Sequence, residues 1–356
     1  MSLVAPCKHQ KINTEGKEAI DMKKMIILFM IMSHFLYGCK SVSDNNNEDI
    51  MYFFRNDSIH SFSDGKFEKI IECKDNFKDG FVPHGYFIYQ DWLYYQKLIP
   101  NDYLRGDVFL FRQNIENGAV EQIIEKNIRA YTFADEYIYY IQDDMLKRVD
   151  LNGDNGKEYN NIKDGKRNYY DLFSYKDAII LQATEGGYFK VNKENDEIEQ
   201  IIKKDYYTTT MYDNKGYAFS YSYDENTNIG SNYVIELDFQ TGGEKILYQE
   251  DEIEDPEKNT NETPYYNETG PMIAKDGVLY FSRNKGTYSI SLQTNEVQKL
   301  SDFSCLYIEK IMDNKIYCYF PTESDFLTPG LEPDKYKLIS LDIETGEIEE
   351  HLFPED

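Results

Sequence analysis

The chain has 356 residues, of which 41% are hydrophobic, 15% aromatic and 29% charged. With 38 Lys and Arg against 64 Asp and Glu the formal charge is −26, which argues against nucleic acid and against charge-driven docking on anionic lipid. The length and apolar content suffice for one large or two ordinary cores and exclude disorder throughout; 32 Tyr and 21 Phe beside one Trp point to β structure.

Residues 1–21 are polar and show no apolar period. Met22-Lys23-Lys24 then leads into the apolar run Met25 to Leu36, followed by Tyr37-Gly38-Cys39. A basic start, a short apolar run and a small residue before the cut are the parts of a secretory signal peptide. The run is too short to cross a bilayer, which needs roughly 20 residues. Leu36-Tyr37-Gly38-Cys39 resembles the bacterial lipobox, and that resemblance implies that Cys39 becomes the lipid-bearing first residue of the mature protein. The expected organisation is a mis-called or non-native start over 1–21, a signal peptide over 22–39, a polar tether over 40–49 and a folded part over 50–356. Export follows, with the chain lipid-anchored to the outer face of a bacterial membrane. The mature part then carries 33 basic and 61 acidic residues, a charge of about −28.

Cys7 and Cys39 fall outside the folded part, leaving Cys73, Cys305 and Cys318. An odd count without regular spacing is no disulfide framework. Cys305 and Cys318 could meet across one hairpin, and buried free thiols are the simpler reading.

From residue 50 onward one hairpin recurs. Its turns are Asp64-Gly65, Glu116-Asn117-Gly118, Gly153-Asp154-Asn155-Gly156, Glu194-Asn195-Asp196, Thr241-Gly242-Gly243, Thr294-Asn295 and Thr345-Gly346. Gly and Asn tolerate positive φ, so these are hairpin turns with a mechanism. An aromatic or aliphatic strand precedes each hairpin, as in Trp92-Leu93-Tyr94-Tyr95, Tyr137-Ile138-Tyr139-Tyr140 and Ala178-Ile179-Ile180-Leu181. From the second unit on, a further strand comes before it across another tight turn: Gln90-Asp91, Asp135-Glu136, Lys176-Asp177, Asn214-Lys215, Asp276-Gly277 and Asp313-Asn314. The pattern is four strands per unit and seven units of roughly 44 residues, the period of a β-propeller blade. An all-β, seven-bladed propeller of four-stranded antiparallel blades is expected, with six or eight blades as alternatives. The first unit lacks its leading strand. Closure is open between a three-stranded blade and a tether that adds a strand to the last blade.

Tyr137-Ile138-Tyr139-Tyr140 followed by Lys147-Arg148-Val149-Asp150-Leu151-Asn152-Gly153 resembles the YWTD-type propellers of the low-density-lipoprotein receptor, and more closely the bacterial propeller lipoproteins related to them. The resemblance implies the fold and says little about function, because propellers host many functions.

In an antiparallel four-strand unit, connections one–two and three–four leave at one end; connections two–three and unit-to-unit leave at the other. The tight turns fall in the first set. The long segments Cys73–Pro83, Leu98–Gly106, Tyr223–Ser231, Gln249–Gly270 and Pro321–Lys335 fall in the second. Extended loops on one face of a scaffold are where binding residues usually sit. The candidate ligand face is therefore Tyr103, Arg105, Tyr223, Tyr265, Tyr266, Asn267 and Phe326, with His84 opening an inner strand beside them. The acidic run Glu250 to Asp255 reads as a solvated loop.

Chemistry-bearing motifs are weak. Asp150-Leu151-Asn152-Gly153-Asp154 has Asn155 where a calcium loop needs Gly. Asp238-Phe239-Gln240-Thr241-Gly242 and Asp342-Ile343-Glu344-Thr345-Gly346 are similar to the Asp-x-x-Thr-Gly of quinoprotein-type propellers but lack its Trp. No Gly-x-Ser-x-Gly, Cys-x-x-Cys or phosphate loop occurs. The expectation is a monomeric binding or scaffold module for a protein, peptide or glycan of the cell envelope, with no cofactor and no metal. The alternative is an envelope hydrolase or lyase using carboxylates or His84 in the funnel.

Overall fold

The computed structural model describes residues 50–55, 58–72, 84–100, 106–125, 127–159, 168–184, 186–204, 206, 209–224, 227, 229–253, 272–283, 285–305, 307–321 and 336–352. Every regular element among them is a strand. The first sheet holds β1 (Met51–Arg55), β2 (Ser58–Ser63) and β3 (Lys66–Glu72). The second holds β4 (His84–Tyr89), β5 (Trp92–Pro100), β6 (Gly106–Asn114) and β7 (Val120–Ile124). The third holds β8 (Ile128–Ala134), β9 (Tyr137–Gln142), β10 (Met145–Asp150) and β11 (Lys157–Glu158), and the fourth β12 (Asn168–Tyr175), β13 (Ala178–Thr184), β14 (Gly187–Asn192) and β15 (Ile198–Ile202). Next come β16 (Thr209–Tyr212), β17 (Lys215–Asp224), β18 (Ile229–Asp238) and β19 (Gly243–Ile253). The sixth sheet is β20 (Ile273–Lys275), β21 (Val278–Arg283), β22 (Gly286–Ser291) and β23 (Val297–Ser301). The last is β24 (Tyr307–Met312), β25 (Lys315–Pro321), β26 (Tyr336–Asp342) and β27 (Ile348–His351). Each sheet is an antiparallel meander of one continuous stretch of sequence. The molecule is a seven-bladed β-propeller.

Packing explains why the second strand of each blade reads as an unbroken apolar run. In β13, Ile179, Leu181 and Ala183 face blade three, where they join Tyr139, Ile141 and Tyr159. Ala178 and Ile180, pointing the other way, join Leu237 and Phe239 of blade five. A strand buried on both faces needs no polar alternation. The fourth strands are outermost and mostly exposed, as in β23. Opposite them, the first strands are innermost: β8 lies against β12, β16 against β20 and β20 against β24.

One apolar cluster joins each consecutive pair of blades from two–three through six–seven. A further cluster joins Met51, Phe62 and Phe67 of blade one to Met312, Tyr317 and Leu338 of blade seven. The ring therefore closes by face-to-face packing. Blade seven supplies its own four strands, so the tether is not its fourth strand, and blade one has three strands among the described residues.

The turns follow from local chemistry. In blades three, five, six and seven the first-to-second-strand turn puts both central residues at positive φ, as in Asp135 (51°) and Glu136 (65°) or Asp313 (47°) and Asn314 (59°), the type I′ geometry that suits strand twist. In blade five this turn sits at Asp213-Asn214, one residue earlier than the sequence suggested. Third-to-fourth-strand turns open on an acceptor side chain: Asp238 Oδ1 takes the N–H of Gln240 at 2.8 Å, and Asp342 Oδ1 those of Glu344 and Thr345 at 3.0 and 2.8 Å. The Asp-x-x-Thr-Gly segments are thus turn signatures. Gly242 and Gly346 close these turns at φ of 73° and 72°. A Cβ there would lie 2.4 Å from the Ile201 carbonyl oxygen or 2.7 Å from that of Leu300, on the preceding blade.

Candidate functional site

The two kinds of tight turn are bonded to one another, which fixes the ends of the propeller. Ile115 N–H donates to the Asp91 carbonyl (2.8 Å), Lys193 to Asp177 (3.1 Å), Leu292 to Gly277 (2.9 Å) and Ile343 to Asn314 (2.9 Å). Both turns of these blades lie at one end. The strand ends flanking residues 73–83, 101–105, 159–167, 254–272 and 322–335 all lie at the other. The strand ends that the long connections join therefore share one face.

At that face Arg129 is the second residue of β8, the first strand of blade three. Its guanidinium pairs with Asp144 at 2.7 Å and donates to the Tyr169 carbonyl on blade four at 3.3 Å. Both side chains are about 40% exposed, so the pair forms a charged step between two inner strands. Asp144 is available here because blade three joins its second and third strands by only Asp143-Asp144, both at positive φ. Buried glutamines sit just below: Gln142 donates to the Glu125 carbonyl and Gln182 to that of Tyr206, each at 2.7 Å. They anchor the blade-to-blade connections.

Blade five departs most from the expectation. Tyr223–Ser231 and the start of Gln249–Gly270 are not loops: β17 and β18 stay paired out to Asp224 and Ile229, and β19 follows β18 to Ile253. The result is a three-stranded arm projecting past the blade. Cross-strand polar pairs hold it, Ser231 Oγ to Asp251 (2.7 Å) and the Ser222–Tyr233 hydroxyl pair (3.1 Å) among them, and along β19 Gln249 Nε2 donates to Asp251 (2.9 Å). Those donors, Gln249 first, keep the Asp251 carboxyl below the usual range. Glu250 is buried and pairs with Lys285 of blade six at 2.6 Å. The acidic run is therefore partly strand, with one carboxylate inside the structure.

Tyr223 lies in β17 opposite Gly230 rather than in a loop. His84 opens β4, an innermost strand, opposite Gln96 at the long-connection end, the position expected of it. Tyr103, Arg105, Tyr265, Tyr266, Asn267 and Phe326 lie outside the described residues, as does Cys39. Sequence reasoning missed the Arg129–Asp144 step, the Glu250–Lys285 pair and Asp171. On the innermost strand of blade four, Asp171 is 5% exposed and accepts the Leu172 N–H at 2.8 Å. Burial pushes its carboxyl up to about 7. Among the described residues no group of three or more His, Cys, Asp or Glu is placed to hold a metal ion. The described part of this end offers hydrogen-bonding and charged groups on an irregular polar rim, suited to recognition.

No protein-family model matches the chain, and no curated protein matches it. Its fold is similar to solved propellers at low identity. Dipeptidyl peptidase 4 of Porphyromonas gingivalis aligns at 9% identity and a TM-score of 0.51, covering 94% of this chain and 56% of that enzyme. The β-propeller domain of the Trilobed protease from Pyrococcus furiosus aligns at 11% identity and a TM-score of 0.40, covering 78% of this chain and 99% of that one. The Pan2 WD40 domain of Neurospora crassa aligns at 9% and 0.46, covering 88% and 89%. The chain spans little more than half the length of the peptidase. The likeness to the peptidase bears on the fold alone.

Proposed function

We propose that this propeller is a lipid-anchored, extracytoplasmic binding or scaffold module whose long-connection end takes a protein, peptide or glycan of the cell envelope. The carrying observation is the segregation of connections: the tight turns tied to one another gather at one end, and the five longer connections gather at the other. Anchoring rests on the resemblance of Leu36-Tyr37-Gly38-Cys39 to the lipobox, and kinship with the bacterial propeller lipoproteins on the repeat motifs. The acidic surface favours a basic partner. In the test, the anchored protein and a Tyr265→Ala, Tyr266→Ala variant are used to capture partners from native envelope extracts, with Asp91→Asn at the opposite end as control. Loss of capture in the double variant alone supports the reading; equal capture by all three contradicts it. Cys39→Ser should move the protein from the membrane to the soluble fraction.

A second reading has one observation in its favour. Asp171, a buried carboxyl on an inner strand with its pKa near 7, is the kind of group hydrolases and lyases use as an acid or base. Turnover of an envelope glycan or peptide that Asp171→Asn or His84→Ala abolishes would reverse the ranking.

A further inference from the structure

Residues 302–306 link blade six to blade seven, and Cys305 within them is fully buried. Cys318, in the middle of β25, is also fully buried in the same cluster, where its thiol and that of Cys305 lie close enough to shift one another's titration. Their shell is apolar on the blade-seven side, formed by Ile308, Ile316, Ile339 and Leu341. On the other side two hydroxyls of blade six fix the main chain of Cys305: its N–H donates to Ser282 Oγ at 2.9 Å and lies 3.3 Å from Thr287 Oγ1. Those hydroxyls are 2.8 Å apart, and Thr287 in turn donates to the Phe303 carbonyl at 2.7 Å. One sulfur is thus positioned by blade six against a sulfur carried by blade seven. A structural thiol filling space needs no such arrangement.

We propose that Cys305 and Cys318 form a pre-set disulfide site, closed by exchange with a small-molecule disulfide, that covalently ties the blade-six connection to blade seven. The Cys305 thiolate attacks one sulfur of the small disulfide, whose S–S bond breaks; the departing thiolate takes up the proton Cys305 released. The Cys318 sulfur then displaces the remaining small thiol from Cys305, and that thiol leaves with the Cys318 proton. The protein loses two electrons and two protons, which the small disulfide gains as two thiols. Cys305 is the first nucleophile because its Cys318 neighbour lowers its pKa, whereas the same contact and burial raise that of Cys318. With both sulfurs buried, exchange proceeds through local opening or during folding. The site does not depend on Cys39 being lipidated, although export would place it in an oxidising compartment.

The test treats the reduced full-length chain with oxidised glutathione, both native and during refolding from urea, then maps thiols by alkylation and peptide mass. The expected product is a linked Cys305–Cys318 peptide pair in at least the refolded sample. Its melting midpoint should exceed that of the reduced protein by roughly 5 °C, a shift that both Cys305→Ser and Cys318→Ser abolish. Two alkylated thiols in both samples, a stable glutathione adduct on either cysteine, or linkage of either to Cys73 would overturn the proposal.

Discussion

Phe62 of the first blade packs edge-on against Tyr317 of the last, their ring centroids 5.4 Å apart across 255 positions of sequence. His351 of β27 completes the contact, 5.0 Å from Phe62 and bonded to Ser340 Oγ at 2.8 Å. Beside it the Lys310 ammonium of the innermost β24 donates to the Ile50 carbonyl, where the first blade begins. A propeller can close by sharing strands between its chain ends. Here apolar packing does it, so the rings at this seam carry the closure.

Glycine at the third-to-fourth-strand turns has a double role, and Gly346 shows it. Its φ of 72° disfavours a side chain, and any Cβ would meet the Leu300 carbonyl of blade six at 2.7 Å. Gly346→Ala should therefore lower stability by about 2 kcal/mol or more, read from urea unfolding. At Gly65, φ is 71° but nothing lies within 4 Å, so Gly65→Ala should cost about 1 kcal/mol. Equal losses at the two sites would contradict the blade contact.

Arg112 is a staple between blades two and three. From β6 it bonds the Glu121 carboxylate through Nε at 2.8 Å and reaches the Leu151 carbonyl at 2.7 Å and Asn152 Oδ1 at 3.1 Å in the next blade's turn. The guanidinium also lies 4.1 Å from the centre of the Trp92 ring. Arg112→Ala should destabilise by about 1–3 kcal/mol, since a buried guanidinium that ties two blades and packs on Trp92 is lost. Arg112→Lys should recover little of it, because one ammonium cannot serve the carboxylate and both blade-three acceptors in that planar fork. Denaturant midpoints with tryptophan fluorescence check both.

Two buried groups should give opposite pH slopes. Asp171 has a folded pKa raised by burial to about 7, against roughly 3.9 in the unfolded chain. Between those values the folded state holds the extra proton, so its contribution falls as pH rises from 4 to 7, by about 4 kcal/mol at most. Asp171→Asn should remove that component. His351 has its pKa lowered, chiefly by burial and further by Lys315, with Glu349 opposing. Below about 6.5 the unfolded state binds a proton the folded state resists, so stability falls on acidification there. The turn carboxylates Asp238 and Asp342 sit below their usual range through backbone N–H bonds, and their contribution is lost only at more acidic pH. Stability measured from pH 4 to 8 for the native chain, Asp171→Asn and His351→Gln separates these terms; an unchanged profile in Asp171→Asn would contradict its burial.

The ring was legible in the sequence because its determinants are local. Asp135-Glu136 and Asp313-Asn314 announce tight turns, and Ala178 to Leu181 can only be a strand buried on both faces. Seven units were legible too, and the structure decides against the six or eight that irregular turn spacing left open. The arm of blade five was misread because its Ser, Asn, Asp and Glu content looks like a loop. Strands projecting beyond the core are held by cross-strand pairs such as Ser231–Asp251, which composition does not reveal. Arg129–Asp144 joins residues that only the antiparallel register brings together. Asp171 is one carboxylate among 64 acidic residues, distinguished only by what neighbouring strands bury around it.

A double-mutant cycle at the seam tests the closed ring most directly. Urea unfolding of the native chain, Phe62→Leu, Tyr317→Leu and the double variant gives the coupling between residues that no local segment joins. Closure by packing requires a favourable coupling of about 0.5–1.5 kcal/mol, the range of an aromatic pair. Losses that simply add would show that blades one and seven do not meet.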